Sequence, residues 1–361
     1  IRVICNQETF VYNAYHMVKA FYPSETVTSS VDEKASNYVT VEFAEDGTDG
    51  QKEAMIEIAD RQTNDMPAEK SAMKKYIDRM LYKKLSEQSG RTLAWGTLMG
   101  VRPTKIAMKK LEEGMTEEIF VPWFQKENLV SEEKAHLAWQ IAGREKKLLD
   151  QLDYENGYSL YVGIPFCPTV CSYCSFSSGA LGDWEHRVED YLAALMKELE
   201  AIAKMSEGRK VDTIYMGGGT PTTLNADQLD RLLTCIERYF VREGLLEFTV
   251  EAGRPDSITK EKLQVLRNHG INRISINPQS MQQKTLDTIG RKHTVEQVYE
   301  AFHMARKLGF DNINMDIIAG LPGETPADME DTLRQIALLG PDNLTVHSLA
   351  IKRAAKMGQE E

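Results

Sequence analysis

Residues 160–176 read LYVGIPFCPTVCSYCSF. An apolar run of β-forming residues ends at a proline, and three of the chain's five cysteines follow within the eight positions 167 to 174. Five more short apolar runs come later: TIYM at 213–216, FTVE at 248–251, RISIN at 273–277, NINMDII at 312–318 and NLTVHSLA at 343–350. Longer amphipathic stretches separate them, which is how βα units read. In the stretch 225–240, Asn225 and Gln228 stand at capping-box spacing ahead of a stripe of Leu229, Leu232, Leu233 and Ile236. Six parallel strands with crossover helices predict an α/β fold, a (β/α)6 partial barrel. Barrels of this kind carry their chemistry at the C-terminal ends of the strands. The unusual residues collect there: Cys167 after the first run, Gly217 to Pro221 after the second, Glu251 closing the third, Gln279 after the fourth and Asp316 in the fifth.

Residues 1–151 read as a separate, smaller α/β and helical module of unknown role. Ile1 to Cys5 and Tyr38 to Phe43 suit strands, and Ala72 to Leu85 and Ser131 to Leu149 have helical spacing. In the last of these, Leu137, Ile141, Leu148 and Leu152 are expected to form the apolar face, with Glu132 and Glu133 suiting the N-terminus.

The composition is that of a globular protein, 42% hydrophobic and 27% charged, and no stretch approaches the roughly 20 apolar residues of a membrane span. A net charge of −11 argues against a general nucleic-acid binder. An anionic substrate would need a local basic patch. The first residues, IRVICNQETF, lack the order of a secretory signal. With an odd cysteine count, the chain is expected in a reducing cytoplasm, where clustered cysteines are more often ligands than disulfides.

The C-x-x-x-C-x-x-C spacing admits several chemistries. A structural zinc site wants four ligands, usually in two pairs, and neither a second C-x-x-C nor an H-x-x-x-H partner is present. Three thiolates on a short loop can hold three irons of a [4Fe–4S] cluster and leave the fourth iron open to another ligand. A buried cluster of unreactive thiols is the plain alternative. Cys5 and Cys235 read as packed thiols, and the seven histidines are dispersed without metal spacing.

YVGIPFCPTVCSYCSF closely resembles the cluster loop of radical S-adenosylmethionine (SAM) enzymes, with Cys167, Cys171 and Cys174 matching the cluster ligands one by one. In that family SAM ligates the open iron and is cleaved to a 5′-deoxyadenosyl radical. The resemblance continues through MGGGTPTTL, FTVEAGRPD, INRISINPQS, GRKHT, NINMDIIAGLPGET and LAI. The succession is similar to the oxygen-independent coproporphyrinogen III oxidase (dehydrogenase) family over roughly Tyr158 to Ala350. With GVRPTK in the N-terminal module, it looks most like the HemZ branch. The radical SAM core is placed at 158–351, and 352–361 is taken as the start of a truncated C-terminal region.

The resemblance implies oxidative decarboxylation of two propionates of coproporphyrinogen III to vinyls, giving protoporphyrinogen IX. It implies a tetrapyrrole substrate, a reduced electron donor such as flavodoxin or ferredoxin, and one or two SAM molecules. By motif position, Tyr161, Gly218 and Glu251 would meet the cluster-bound SAM. Tyr173, Gly219, Thr220, Gln279, Arg291, Asp316 and Ala350 would meet a second. No catalytic group beyond these is implied, because the cofactor carries the hard chemistry. Arg291, Lys292 and Arg254 are the candidate cations for the propionates.

Two positions depart from the best-known oxidases. Their C-x-C continuation after the third ligand is here Cys174-Ser175-Phe176, and a histidine four residues before the first cysteine is Gly163. These departures resemble the haem chaperones of the same superfamily, although their HNxxYW element is not found. A haem-binding chaperone and a different radical SAM reaction therefore stand as alternatives.

Overall fold

The six apolar runs become six strands of one parallel sheet in the computed structural model, which describes residues 1–43, 54–60, 67, 69–241 and 243–360. The chain divides into two units, Ile1–Gln151 and Leu152–Glu361.

The first unit begins with β1 (Arg2–Cys5), α1 (Glu8–Phe21), β2 (Thr28–Val31), β3 (Asn37–Phe43), β4 (Ala54–Asp60) and α2 (Lys70–Ser89). The strands form a mixed sheet in the order β2-β1-β3-β4, with β1 parallel to β2 and antiparallel to β3. Alternation decides which face is buried: Val39 and Val41 of β3 and Ile56 and Ile58 of β4 point into a core with Phe10, Met17, Phe21 and Leu81. Cys5 lies fully buried in that core, and burial pushes its thiol up to about 12.

Three helices follow: α3 (Pro103–Glu112), α4 (Glu117–Asn128) and α5 (Glu132–Leu149). Here the apolar face differs from the expected one. Leu137 and Leu148 of α5 are exposed, and the buried face is Ala135, Ala138 and Ala142. These alanines share a buried cluster with Ala107 of α3 and with Phe120 and Phe124 of α4. Small side chains let helix backbones approach closely, so the narrow alanine seam is buried while the leucines stay on the outer surface. Ser131 caps α5, accepting from the Lys134 backbone N–H at 3.3 Å.

The second unit contains β5 (Gly157–Ile164), the two-residue strands β6 (Phe166–Cys167) and β7 (Gly179–Ala180), α6 (Leu181–Trp184) and α7 (Val188–Met205). Then come β8 (Lys210–Gly218), α8 (Ala226–Phe240), β9 (Glu247–Glu251), α9 (Lys260–Asn268), β10 (Arg273–Ser275), α10 (Gln283–Thr288) and α11 (Val295–Lys307). The unit ends with β11 (Ile313–Ala319), α12 (Pro326–Leu339), β12 (Asn343–Ser348) and α13 (Lys356–Glu360). The large sheet runs β12-β11-β10-β9-β8-β5, every neighbouring pair parallel. Strand order follows chain order and β5 is not paired with β12, so the sheet is an open arc, the (β/α)6 partial barrel.

Local sequence explains the covering helices. The Asn225–Gln228 capping box forms in both directions at 2.9 Å, and Leu229, Leu232, Leu233, Ile236 and Phe240 of α8 are buried. Each such side chain contributes about 1.5–3 kcal/mol of burial. Thr294 with Gln297 caps α11, and Thr325 with Asp328 caps α12.

Candidate functional site

Between β6 and β7, residues 168–178 leave the sheet as a loop whose ends are joined by the Phe166–Gly179 and Cys167–Ala180 pairs. The loop is fastened along its length. The Ser172 N–H donates to the Ile289 carbonyl at 3.0 Å, the Thr169 hydroxyl to the Gly290 carbonyl at 3.1 Å and the Met357 N–H to the Ser172 carbonyl at 2.9 Å. The Cys174 N–H donates to the Cys171 carbonyl at 3.0 Å, a turn that directs both thiols to one side.

That side is a cavity of about 550 Å³ at the C-terminal mouth of the arc. It is lined by Cys167, Cys171 and Cys174 together with Tyr173, Gly218, Gly219, Thr220, Glu251, Gln279, Arg291 and Asp316. Eleven residues singled out from separate motifs thus converge. Two do not line it. Tyr161 is 61% exposed, with its ring stacked on Tyr215 at 6.0 Å, and Ala350 lies exposed beyond β12.

The glycines at 217–219 answer to backbone proximity. The Gly219 N–H donates to the Ile164 carbonyl and the Thr220 N–H to the Phe166 carbonyl, both at 2.7 Å. A Cβ on Gly219 would stand 2.5 Å from the Phe166 oxygen, and Gly218 has φ of +107°. Only glycine permits so close a passage. The same register brings the Thr220 hydroxyl to 3.7 Å from the Cys167 sulfur.

Sequence reasoning missed several lining residues: Tyr215, Arg273, Ser275, Asn277, Asn314, Thr345 and His347. Strand parity was the available signal. Tyr215 shares a face of β8 with Gly217, where an added Cβ would meet the Tyr215 and Glu251 side chains, and the lining residues 273, 275 and 277 step by two, as do 314, 316 and 318. Tyr215 donates a short hydrogen bond to Glu251. Burial pushes the Glu251 carboxyl up, that bond pulls it back, and the nearby Asp316 raises it again. Asp316 accepts from the Asn314 amide at 2.8 Å.

Gln279 holds φ of +67°, rare for a side chain of its kind, yet its N–H donates to the Asp316 carbonyl at 3.0 Å and its carbonyl accepts from the Ile318 N–H at 2.9 Å. Its Oε1 and the Nε of Arg291 are buried without a partner. Both residues line the cavity, while these two atoms themselves have almost no accessible surface.

The cations expected to receive propionates divide. Arg291 is buried and donates to the Asn277 carbonyl. Lys292 is exposed and outside the lining. Arg254 is 3% exposed and already committed to Asp256, Thr169 and Cys171, so it serves the cysteine loop and not a substrate carboxylate.

The donor set suits an iron–sulfur cluster. Burial raises the Cys174 thiol; a backbone hydrogen bond at Phe176 and the Arg291 charge pull it back, and the neighbouring Cys171 and Cys167 raise it. Among the described residues no three His, Cys, Asp or Glu side chains stand preassembled as a metal cage. The fit therefore rests on the loop that carries all three cysteines and on the cavity they share.

A second hollow, about 620 Å³ and mostly apolar, adjoins the first. Pro165, Phe166, Trp184, Arg187 and Tyr191 line it, and Phe176 and Ser178 line both spaces. Phe176 is 71% exposed.

With this fold and cavity in view, the comparisons are specific. The radical SAM superfamily profile matches residues 161–336. The chain is 40% identical over 339 residues to the oxygen-independent coproporphyrinogen-III oxidase-like protein HemZ of Bacillus subtilis, covering 93% of this chain and 67% of that protein. It is 38% identical to the heme chaperone HemW of B. subtilis, covering 54% of this chain and 51% of HemW. It is 35% identical to the oxygen-independent coproporphyrinogen III oxidase of Escherichia coli, covering 54% of this chain and 42% of the oxidase. The solved structure of that E. coli radical SAM enzyme, HemN, matches with a TM-score of 0.54 and 32% identity, covering 60% of this chain and 50% of HemN.

The chain belongs to the radical SAM superfamily, in the group that holds the coproporphyrinogen III oxidases, HemZ and HemW. It spans two thirds of HemZ and about half or less of the other two relatives. Membership implies a [4Fe–4S] cluster and SAM. No helix among the described residues is long and apolar enough to cross a membrane.

Proposed function

We propose that the chain is the core of an oxygen-independent coproporphyrinogen III dehydrogenase, giving protoporphyrinogen IX. The observation that carries the reading is the convergence of eleven motif residues on one cavity that opens beside an apolar hollow. When bound, the cluster and SAM supply the one-electron chemistry by which a propionate loses a hydrogen atom, CO2 and one further electron to leave a vinyl group.

The protein's part is to bind and orient. Cys167, Cys171 and Cys174 hold the cluster. Glu251, fixed by the Tyr215 hydroxyl, accepts hydrogen bonds from the ribose of the cluster-bound SAM beside Gly218, with Tyr161 backing Tyr215. Gln279 and Arg291, with Asp316, Thr220, Gly219 and Tyr173, would hold a second SAM, with Ala350 beyond β12 as its further contact. A pyrrole ring lies in the hollow of Phe176, Trp184 and Tyr191, an apolar setting with few polar groups of the kind that holds flat ligands. An electron donor such as flavodoxin or ferredoxin supplies reducing equivalents.

The test is an anaerobic reaction of the reconstituted protein with SAM, reductant and coproporphyrinogen III, followed by mass spectrometry. The expected outcome is protoporphyrinogen IX with 5′-deoxyadenosine. Deoxyadenosine without porphyrinogen product refutes the substrate. A second reading, a haem chaperone, is favoured by Phe176 standing exposed where the oxidases continue C-x-C. Stable haem binding without SAM turnover would establish it.

A further inference from the structure

We propose that Arg254 is a positioning residue that fastens the cysteine loop to the exit of β9 and places its charge on one ligand in particular, Cys171. The proposal rests on the reading of the three cysteines as cluster ligands.

The guanidinium is 3% exposed and nearly all its donors are engaged. Nε and Nη2 donate to the two carboxylate oxygens of Asp256 at 3.1 and 3.0 Å. Nη2 also donates to the Thr169 hydroxyl at 3.0 Å, and Nη1 donates to the Thr169 carbonyl at 2.9 Å and to the Cys171 sulfur at 3.8 Å. Arg254 therefore grips the loop two residues after its first cysteine and again at its second. A planar five-donor fork can do this and an ammonium cannot.

The three sulfurs are consequently unequal. Cys171 receives Arg254, and the Arg291 guanidinium also faces it. Cys167 meets the neutral hydroxyl of Thr220. Cys174 is hydrogen-bonded to the backbone at Phe176 and feels Arg291 through charge alone. Hydrogen bonds to sulfur and local charge set the potential of an iron–sulfur cluster, and a cation beside one thiolate favours the reduced, more negative state. Asp256 opposes Arg254 from the other side, so the two side chains push the potential in opposite directions.

The experiment is a redox titration of the reconstituted protein without SAM, read by the electron paramagnetic resonance signal of the reduced cluster. R254Q should disfavour reduction by about tenfold, a negative shift of about 59 mV for one electron. D256N should shift the potential the opposite way, and R254K should hold it near the wild-type value while releasing iron faster to a chelator. A merely structural role would move R254Q and D256N in the same direction or leave both unchanged, and either result overturns the proposal. If R254Q holds no cluster, the sign of the D256N shift decides. A wild-type protein that assembles no cluster would overturn the ligand reading along with it, whereas an intact cluster with unmoved potentials overturns Arg254 alone.

Discussion

Replacing Gly219 with alanine tests whether the glycine turn serves the backbone seam between β5 and β8. The added Cβ would stand 2.5 Å from the Phe166 oxygen and 2.9 Å from the Ile164 oxygen, both rigid backbone atoms. Relief requires the 219–220 segment to move off β6, which breaks the two 2.7 Å bonds to Ile164 and Phe166. Each contributes about 1 kcal/mol net, and forcing an extra carbon into a packed seam costs about 1–3 kcal/mol. The expected loss is about 3 kcal/mol, or roughly 10 °C in the unfolding temperature of a unit this size. Because Thr220 moves with the segment, its hydroxyl also leaves Cys167, and iron content after reconstitution should fall. Calorimetry of the apo protein and an iron assay read the two effects. G143A is the control: that glycine lies in α5 with nothing within 4 Å of an added Cβ, so alanine should stabilise by about 0.5–1 kcal/mol. A G219A protein that unfolds at the wild-type temperature and loads iron normally would refute the reasoning.

E251Q should weaken SAM binding roughly ten- to a hundredfold, the worth of a hydrogen bond to a charged acceptor; calorimetric titration measures it, and unchanged affinity would remove Glu251 from the SAM site. C171S should abolish thiolate-to-iron absorbance while C235S, a partly buried thiol packed on the core, keeps it. His293 is fully buried, and burial first, then Arg291 and, more weakly, Arg254, against the opposing Asp256, lower its pKa to about 3. The unfolded chain binds that proton near pH 6.5, so the stability of the fold is whole above 6.5 and falls as pH drops toward 3, by up to about 1.4 kcal/mol per pH unit. Urea unfolding at pH 7 and pH 5 should show this loss, and H293Q should flatten it. Replacing Ala138 with leucine should cost about 1–3 kcal/mol by overpacking the α5 seam, measured by thermal unfolding.

Much of the barrel was legible because its signals are local. A run such as TIYM, followed by glycines and then the Asn225–Gln228 box and a leucine stripe, carries its own period and its own cap, so strand, turn and helix could each be read within a few residues. The cysteine triplet was legible for the same reason, since one loop supplies all three side chains. Strand β4 and the burial on α5 were not. In α5, leucines and alanines offered two competing faces, and only the neighbouring helices decided that Ala135, Ala138 and Ala142 turn inward.

What tertiary structure alone decided is which side chains meet. Tyr215 and Glu251 lie 36 residues apart, and Arg254 reaches Cys171 across 83. No local pattern encodes such pairs, because they depend on parallel register between strands brought together by intervening helices. Sequence determined that the chain has a cysteine loop at the end of a barrel strand. Register and packing determined that Gln279 and Arg291 line that cavity, that Tyr161 stacks on Tyr215 outside it, and that Arg254, a candidate cation for the propionates in the sequence, is buried with nearly all its donors engaged. A charged side chain taken from water needs partners on every side, and where those partners lie is a property of the fold.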